Sequence, residues 1–195
     1  MSDKLKHAIE KIDAANADDP NLMEDEGQMR PVELVHAERR TDWIYKLVGD
    51  DASDELLLAA RGQHIRRWEI PRDSYARDRA SYLQWRNDLK KFHAEKTTEI
   101  MKDVGYDDAA ADRVTNLILK KRLKLDPEVQ ALEDALCLVF LETQFTEFAK
   151  QEADKITNIL RKTWRKMSPQ GQQFALQLPM SEEDLQIVEA ALAGE

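Results

Sequence analysis

Residues Leu56–Arg72 read LLLAARGQHIRRWEIPR. The first five are apolar enough to build a core. The stretch then takes on glutamine, histidine and three arginines before Pro71 stops it. A solvent-facing helix tolerates such a change anywhere, whereas a metal or phosphate site requires something like it. Ser53 supplies an N-cap, and Asp54 and Glu55 in the first turn suit the helix dipole. The expected helix runs from Ser53 to Trp68, and EIPRDSYARD follows as a loop.

The pattern extends outward in both directions. Upstream, Leu5, Ala8, Ile9 and Ile12 share one face of a short helix over residues 3–15. The acid-rich NADDPNLMEDEGQMRP reads as an exposed connector. A helix then runs from Pro31 to Gly49. Downstream, a long helix from Arg79 to Val104 is closed by Gly105, and another starts at Asp107 or Asp108 and continues through the LKKRLKL run. Asp126-Pro127 opens the longest helix, expected to reach Met167, where SPQGQQ ends it. SEEDLQIVEAAL is a last short helix whose Ser181 and Asp184 resemble a capping box. No segment alternates as a strand does, and no internal repeat is visible. The reading is all-α, one bundle-like domain, divided as residues 1–30 (helix and connector), 31–167 (helical core) and 168–195 (turn and short helix).

Composition agrees. Six glycines and six prolines in 195 residues are too few for a turn-rich β protein, and 42% hydrophobic residues can fill a core. A net charge of -9 argues against broad nucleic-acid binding, leaving nucleic acid a disfavoured partner, but it allows a local basic pocket. The single cysteine, Cys137, sits in an apolar run and fits a reducing compartment. The first residues hold no apolar stretch of signal-peptide length, and no uncharged stretch approaches membrane-spanning length. The expected location is the cytoplasm, with no membrane association. Oligomeric state leaves no mark in the sequence.

Chemistry concentrates on few residues. His36, His64 and His93 fall on three different expected helices, each sharing a face with apolar neighbours. His36 lies with Val32, Trp43 and Leu47, His64 with Leu57 and Ala60, and His93 with Leu89 and Ile100. All three can point inward toward one another. Asp134 lies inside ALEDALCLVFLE, where a carboxylate is costly unless a cation or an arginine pairs with it. Three imidazoles and one carboxylate suit zinc, manganese, iron or cobalt. The ordinary alternative is a set of hydrogen-bonded core histidines, with Asp134 as a buried partner of Arg66 or Arg67. Arg61, Arg66, Arg67 and Arg72 lie close together, with Glu69 the only acid among them. Guanidinium forks bind phosphate and carboxylate in two-point fashion. Lys120 and Lys121 form a weaker basic patch, much of which dipole compensation explains. The four tryptophans read as packing.

Residues 92–142, FHAEKTTEIMKDVGYDDAAADRVTNLILKKRLKLDPEVQALEDALCLVFLE, resemble the second half of HD-domain proteins, a helical superfamily of metal-dependent phosphohydrolases and relatives. His93 and Asp134 match the metal histidine and the late aspartate of that pattern, and His36 matches its first histidine. AARGQHIRRWEIPR, WRNDLKKFHAE, DPEVQALEDALCLVFLE and RKTWRKMS look like hallmarks of the domain-of-unknown-function family four-two-zero-two, over nearly the whole chain. That family name implies no activity. The chain departs from the HD pattern at two places. Gln63-His64 stands where a histidine–aspartate pair belongs, and Lys120 and Lys121 fall near another metal-histidine position. The resemblance therefore implies at most one divalent metal, held by His36, His64, His93 and Asp134, or no metal at all.

Three readings follow. The first is a single-metal phosphohydrolase acting on a nucleotide or small phosphate ester. In it Arg66 and Arg67, with Lys120 or Lys121, neutralise charge on the phosphate, and Glu69 is a candidate base. The second is a binding module for an anion, nucleotide or RNA segment without catalysis. The third, ranked lower, is an iron-dependent oxygenase of the same fold.

Overall fold

Ser53 Oγ accepts the Leu56 amide at 3.0 Å and starts the central helix of the first half of the chain. This helix, α3 (Asp54–Gly62), has Leu56, Leu57, Leu58, Ala59 and Ala60 all buried. A short helix that is apolar all round must be enclosed. Here it packs against α1 (Asp3–Ala17), α2 (Val32–Val48), α4 (Arg79–Asp103) and α5 (Asp108–Ile118). The computed structural model describes residues 2–151 and 155–193 and is all-α apart from one short hairpin. It divides into two compact units, Met1–Arg122 and Leu123–Glu195, a division that falls inside the span 31–167.

α3 does not run on to Trp68 as expected. It ends at Gly62, and the chain leaves by turns in which Ile65 N donates to the Gly62 carbonyl and Arg67 N to that of His64. Arg66 adopts a left-handed φ of 52°, which no helix accommodates. The last residue of α3 lies at a close helix crossing. A Cβ on Gly62 would lie 2.1 Å from Thr97 Oγ1 of α4, so the two helices meet where only glycine fits. Thr97 Oγ1 in turn donates to the His93 carbonyl at 2.7 Å.

The stretch between α1 and α2 is largely exposed, as expected of a connector, but it forms strands where none were expected. β1 (Leu22–Asp25) pairs antiparallel with β2 (Gln28–Pro31), Leu22 opposite Pro31 and Asp25 opposite Gln28. Glu26 and Gly27 make the turn at φ 51° and 81°, the positive values that a two-residue hairpin needs. Asp19 is buried and accepts the Glu33 amide at 3.0 Å, which holds the first turn of α2 in place. Asp25 accepts from Arg30 and Arg39. The acids read as solvated are thus partly structural. α5 also stops early, because Lys120, Arg122 and Lys124 take φ values of 56°, 63° and 73°. The ends of α4 agree with expectation: Asp78 caps it through the Ser81 amide, and Gly105 follows at φ 88°.

In the second unit the expected helix over 127–167 is broken. α6 (Pro127–Thr143) is followed by α7 (Phe145–Gln151) and α8 (Ile156–Lys166). The turn at Gln144 lets Phe145 and Phe148 come edge-on to Phe140, with ring centroids 6.4 and 5.7 Å apart. α8 ends at Lys166, just before SPQGQQ as expected, but Ser168 then starts a further helix. Its Oγ accepts the Gly171 amide and caps α9 (Pro169–Ala175). α10 (Glu182–Leu192) begins as expected, with Ser181 Oγ accepting the Asp184 amide at 3.1 Å. Among the described residues no helix is long and apolar enough to cross a membrane.

The Gly62 contact yields a direct test. Gly62→Ala should cost at least about 2 kcal/mol in urea denaturation, through overpacking against Thr97. Adding Thr97→Ala, which removes the two closest atoms, should return part of that loss. Equal loss in the single and double variants would show that the helix crossing is not what demands glycine here.

Candidate functional site

Glu33, His36 and Arg40 stand at i, i+3 and i+7 of α2, hence on one face. All three are buried, and Arg40 is among the largest fully buried side chains. Arg40 Nε donates to the Ala60 carbonyl at 2.9 Å, meeting one of the open carbonyls at the end of α3 with a cation that the helix dipole favours. The turn after α3 brings His64 to the same place, and α4 brings His93. The three histidines therefore do gather. His64 and His93 have ring centroids 5.7 Å apart, while His36 Nδ1 and His64 Nδ1 lie 3.9 and 3.6 Å from Glu33 Oε2. Arg40 Nη1 is 3.7 Å from the same oxygen, and Arg67 Nε is 4.0 Å from Glu33 Oε1.

Glu33 is thus the hub of the cluster, and sequence reasoning missed it. It reads as an ordinary first-turn acid. The signal that points to it is its spacing from His36 and Arg40 on a face that also carries Val32 and Trp43.

The hydrogen bonds assign the protons. Arg40 can only donate, so His64 Nδ1, 3.2 Å from Arg40 Nη1, accepts, and the His64 proton sits on Nε2. His93 Nδ1 donates to the Ile65 carbonyl at 2.9 Å, which leaves a bare lone pair on Nε2. That Nε2, Glu33 Oε2 and Arg40 Nη2 are buried atoms without a hydrogen-bond partner. Each such atom costs about 1–3 kcal/mol unless water or a ligand answers it.

Burial sets the charge state. It lowers His36 and His93 to about 4; Glu33 opposes the shift in His36 and the Ile65 carbonyl opposes it in His93, while Arg40 and Arg67 add to both. His64 is pushed well below its usual range by loss of water and then by Arg40, Arg67 and Lys120. Arg40 falls to about 10 through burial, with Glu33 holding it up, and stays cationic at neutral pH. The site therefore contains three neutral imidazoles in a field that is positive on balance.

Most of the other expected site residues are placed elsewhere. Arg66 and Glu69 bind each other at 2.5 Å, both partly exposed. Arg61 grips Asp13 through two bonds of 2.5 and 2.7 Å. Arg72 donates to the carbonyls of Tyr75 and Ala76. Of that arginine group Arg67 alone has an ion-pair contact with Glu33 among the described residues. Lys121 is exposed, whereas it is Lys120 whose charge bears on His64. Asp134 belongs to the second unit. Its Oδ1 accepts from Gln130 Nε2 and the Ser168 amide, both at 2.8 Å, and its Oδ2 accepts from Ser168 Oγ at 2.5 Å. A Cβ on Gly171 would come within 2.7 Å of its carboxyl carbon. The buried acid thus has its partners in the start of α9. Among the described residues no group of three or more His, Cys, Asp or Glu side chains is arranged to hold a metal ion.

Two predictions follow from these placements. His36 and His93 resist protonation down to about pH 4, whereas the unfolded chain takes up those protons near 6.5. Their contribution is complete above about pH 6.5 and is lost as pH falls toward 4, on the order of 3 kcal/mol for each. In urea titrations between pH 7 and 5, His93→Gln should flatten this slope, and an unchanged slope would mean that the ring does not resist charging. Asp134→Asn should destabilise the protein by roughly 1–3 kcal/mol through the α9 cap, measured by thermal melting. A neutral result would remove the structural role given to that carboxylate.

Among known proteins, no curated protein and no solved structure matches the chain. A family comparison matches residues 6–188, nearly the full length, to the family described as Domain of unknown function (DUF4202). The chain belongs to that family.

Proposed function

We propose that the first unit binds a small phosphorylated or otherwise anionic ligand, of the nucleotide or phosphate-ester class, at the Glu33–Arg40–His64–His93 cluster. The observation that carries this reading is the set of buried atoms without partners, Arg40 Nη2, His93 Nε2 and Glu33 Oε2, in a positive field. A phosphate that retains one proton answers two of these three atoms, while Glu33 Oε2 stays beside Arg40. Its charged oxygens accept from Arg40 Nη2 and from His64 Nε2–H, and its hydroxyl donates to His93 Nε2. Arg67, with a partly exposed side chain only 4.0 Å from Glu33, can close over such a ligand. Glu33 holds Arg40 and Arg67 in place and repels a fully ionised ligand, which favours the monoprotonated form. The single, buried Cys137 suits a reducing compartment, and the cytoplasm is the proposed location.

A phosphohydrolase is the second reading, and His93 favours it. Anchored through Nδ1 on a carbonyl, its Nε2 is set to take a proton from an attacking water. Zinc, manganese, iron or cobalt would add Lewis-acid activation of that water. The side chains as they lie do not fit such an ion, because His64 spends its Nδ1 lone pair on Arg40 and Asp134 is engaged with Ser168.

Calorimetric titration with inorganic phosphate and with nucleoside monophosphates tests both readings. The wild-type protein should bind, and Arg67→Ala should weaken binding by about tenfold while leaving the melting temperature nearly unchanged. No binding at millimolar phosphate or nucleotide would overturn the proposal. Hydrolysis of a chromogenic phosphate ester that disappears in His93→Gln would replace binding by catalysis, and elemental analysis of the same sample would show whether metal accompanies it.

A further inference from the structure

The chain carries a net charge of -9, yet residues 66–91 hold eight arginines and lysines against four acids. Those acids are largely committed within the segment. Glu69 binds Arg66, Asp73 faces Arg77 at 3.4 Å, Asp88 accepts from Tyr75 OH at 3.0 Å, and Asp78 caps α4. Among the described residues Arg72, Arg79, Arg86 and Lys91 form no ion pair with a carboxylate. The segment is therefore a concentrated positive surface on an acidic protein.

Aromatic rings run through it in a ladder. Arg67 lies 5.2 Å above Trp85, and Arg72 lies 5.9 Å from Trp85 and 5.8 Å from Tyr82. Arg86 covers Tyr82 at 5.9 Å, and the Tyr82 and Trp85 rings are 5.9 Å apart. Trp85 Nε1 donates to the Ile70 carbonyl, which ties the loop after α3 to α4 and fixes the ladder. Its inner rung is Arg67, the residue that borders Glu33. Its outer rung is Tyr82, 42% exposed, beside Leu83 at 51%. Arg79, Tyr82 and Arg86 recur at i, i+3 and i+7 along one face of α4.

We infer that this ladder is a binding track for a single-stranded nucleic acid, which leads one phosphate of the strand toward the histidine–arginine cluster. The inference rests on the reading of that cluster as a phosphate site and specifies its ligand as a polynucleotide. Alternating guanidinium planes and rings match alternating phosphates and bases. Arg79, Arg86 and Lys91 meet the backbone, and the exposed edge of the Tyr82 ring meets a base. An acidic peptide offers the charges but no flat partner for the ring. Duplex hides its base faces, so it leaves Tyr82 unused.

Fluorescence anisotropy with a labelled twelve-nucleotide oligo(U) and its oligo(dT) counterpart tests the track. Compared with it are a duplex of equal length and oligo-glutamate. Single strands should bind best, with affinity falling steeply as salt rises. Tyr82→Ala and Arg86→Ala should each weaken binding about tenfold, and Tyr82→Phe should restore it. Both residues lie on the surface, so calorimetric binding of inorganic phosphate should be the same in these variants as in the wild type. Phosphate binding with no oligonucleotide binding would overturn the track and leave the anion site standing. Equal affinity for oligo-glutamate or for duplex, or oligonucleotide binding indifferent to Tyr82 and Arg86, would overturn it as well. Loss of phosphate binding in Arg67→Ala with oligonucleotide binding retained would sever the track from the cluster.

Discussion

A carboxylate and a guanidinium enclosed together organise the first unit. Glu33 and Arg40 are 6% and 1% exposed, and charges so placed are tolerable only when other groups share their field. His36, His64 and Arg67 supply that company around Glu33, and the Ala60 carbonyl does so for Arg40. The arrangement is not closed. Glu33 Oε2 and Arg40 Nη2 keep unused bonding capacity in a place that water reaches poorly. Stability alone would favour an apolar filling, since replacing a buried ion pair by well-packed hydrophobic groups is often neutral or stabilising. The proposed ligand would use that spare capacity.

The backbone reason for the cluster is the shortness of α3. Its apolar half is enclosed by four helices, and the chain leaves it through turns and a left-handed Arg66 just after the Gly62–Thr97 contact. Had the helix continued to Trp68, Arg67 would sit near the next turn of the same face and Arg66 would need no left-handed φ. Stopping at Gly62 turns His64 toward Glu33 and carries Arg67 over Trp85. The change of character inside LLLAARGQHIRRWEIPR thus marks the point where one element ends. The first half packs the unit, and the second half is a loop that borders the polar cluster.

Charge is distributed in the same spirit. The protein is acidic overall, and that acidity hides a local excess of arginine between the end of α3 and the middle of α4. Net charge describes colloidal behaviour and long-range steering, whereas a contact surface responds to charges within a Debye length of about 8–10 Å. The total says little about a face on which basic residues are spaced and interleaved with rings.

Much was legible in the residues themselves. The all-α class, the limits of α1, α2 and α4, and the caps at Ser53 and Ser181 follow from local propensity and periodicity, because a cap bonds within its own first turn. The inward direction of His36 and His93 follows from their apolar neighbours, and the structure does bring the three histidines together. Tertiary structure decided the rest. Only packing shows that Gly62 ends α3, that Gln144 interrupts a run of uniform helical character, and that Arg61, Arg66 and Arg72 are engaged by Asp13, Glu69 and loop carbonyls. Only packing sends Asp134 to the Ser168 cap and draws Glu33 into the centre of the site. The reason is physical: periodicity reports which face of an element is buried, but the partner of a buried charge is chosen by groups far away in the chain.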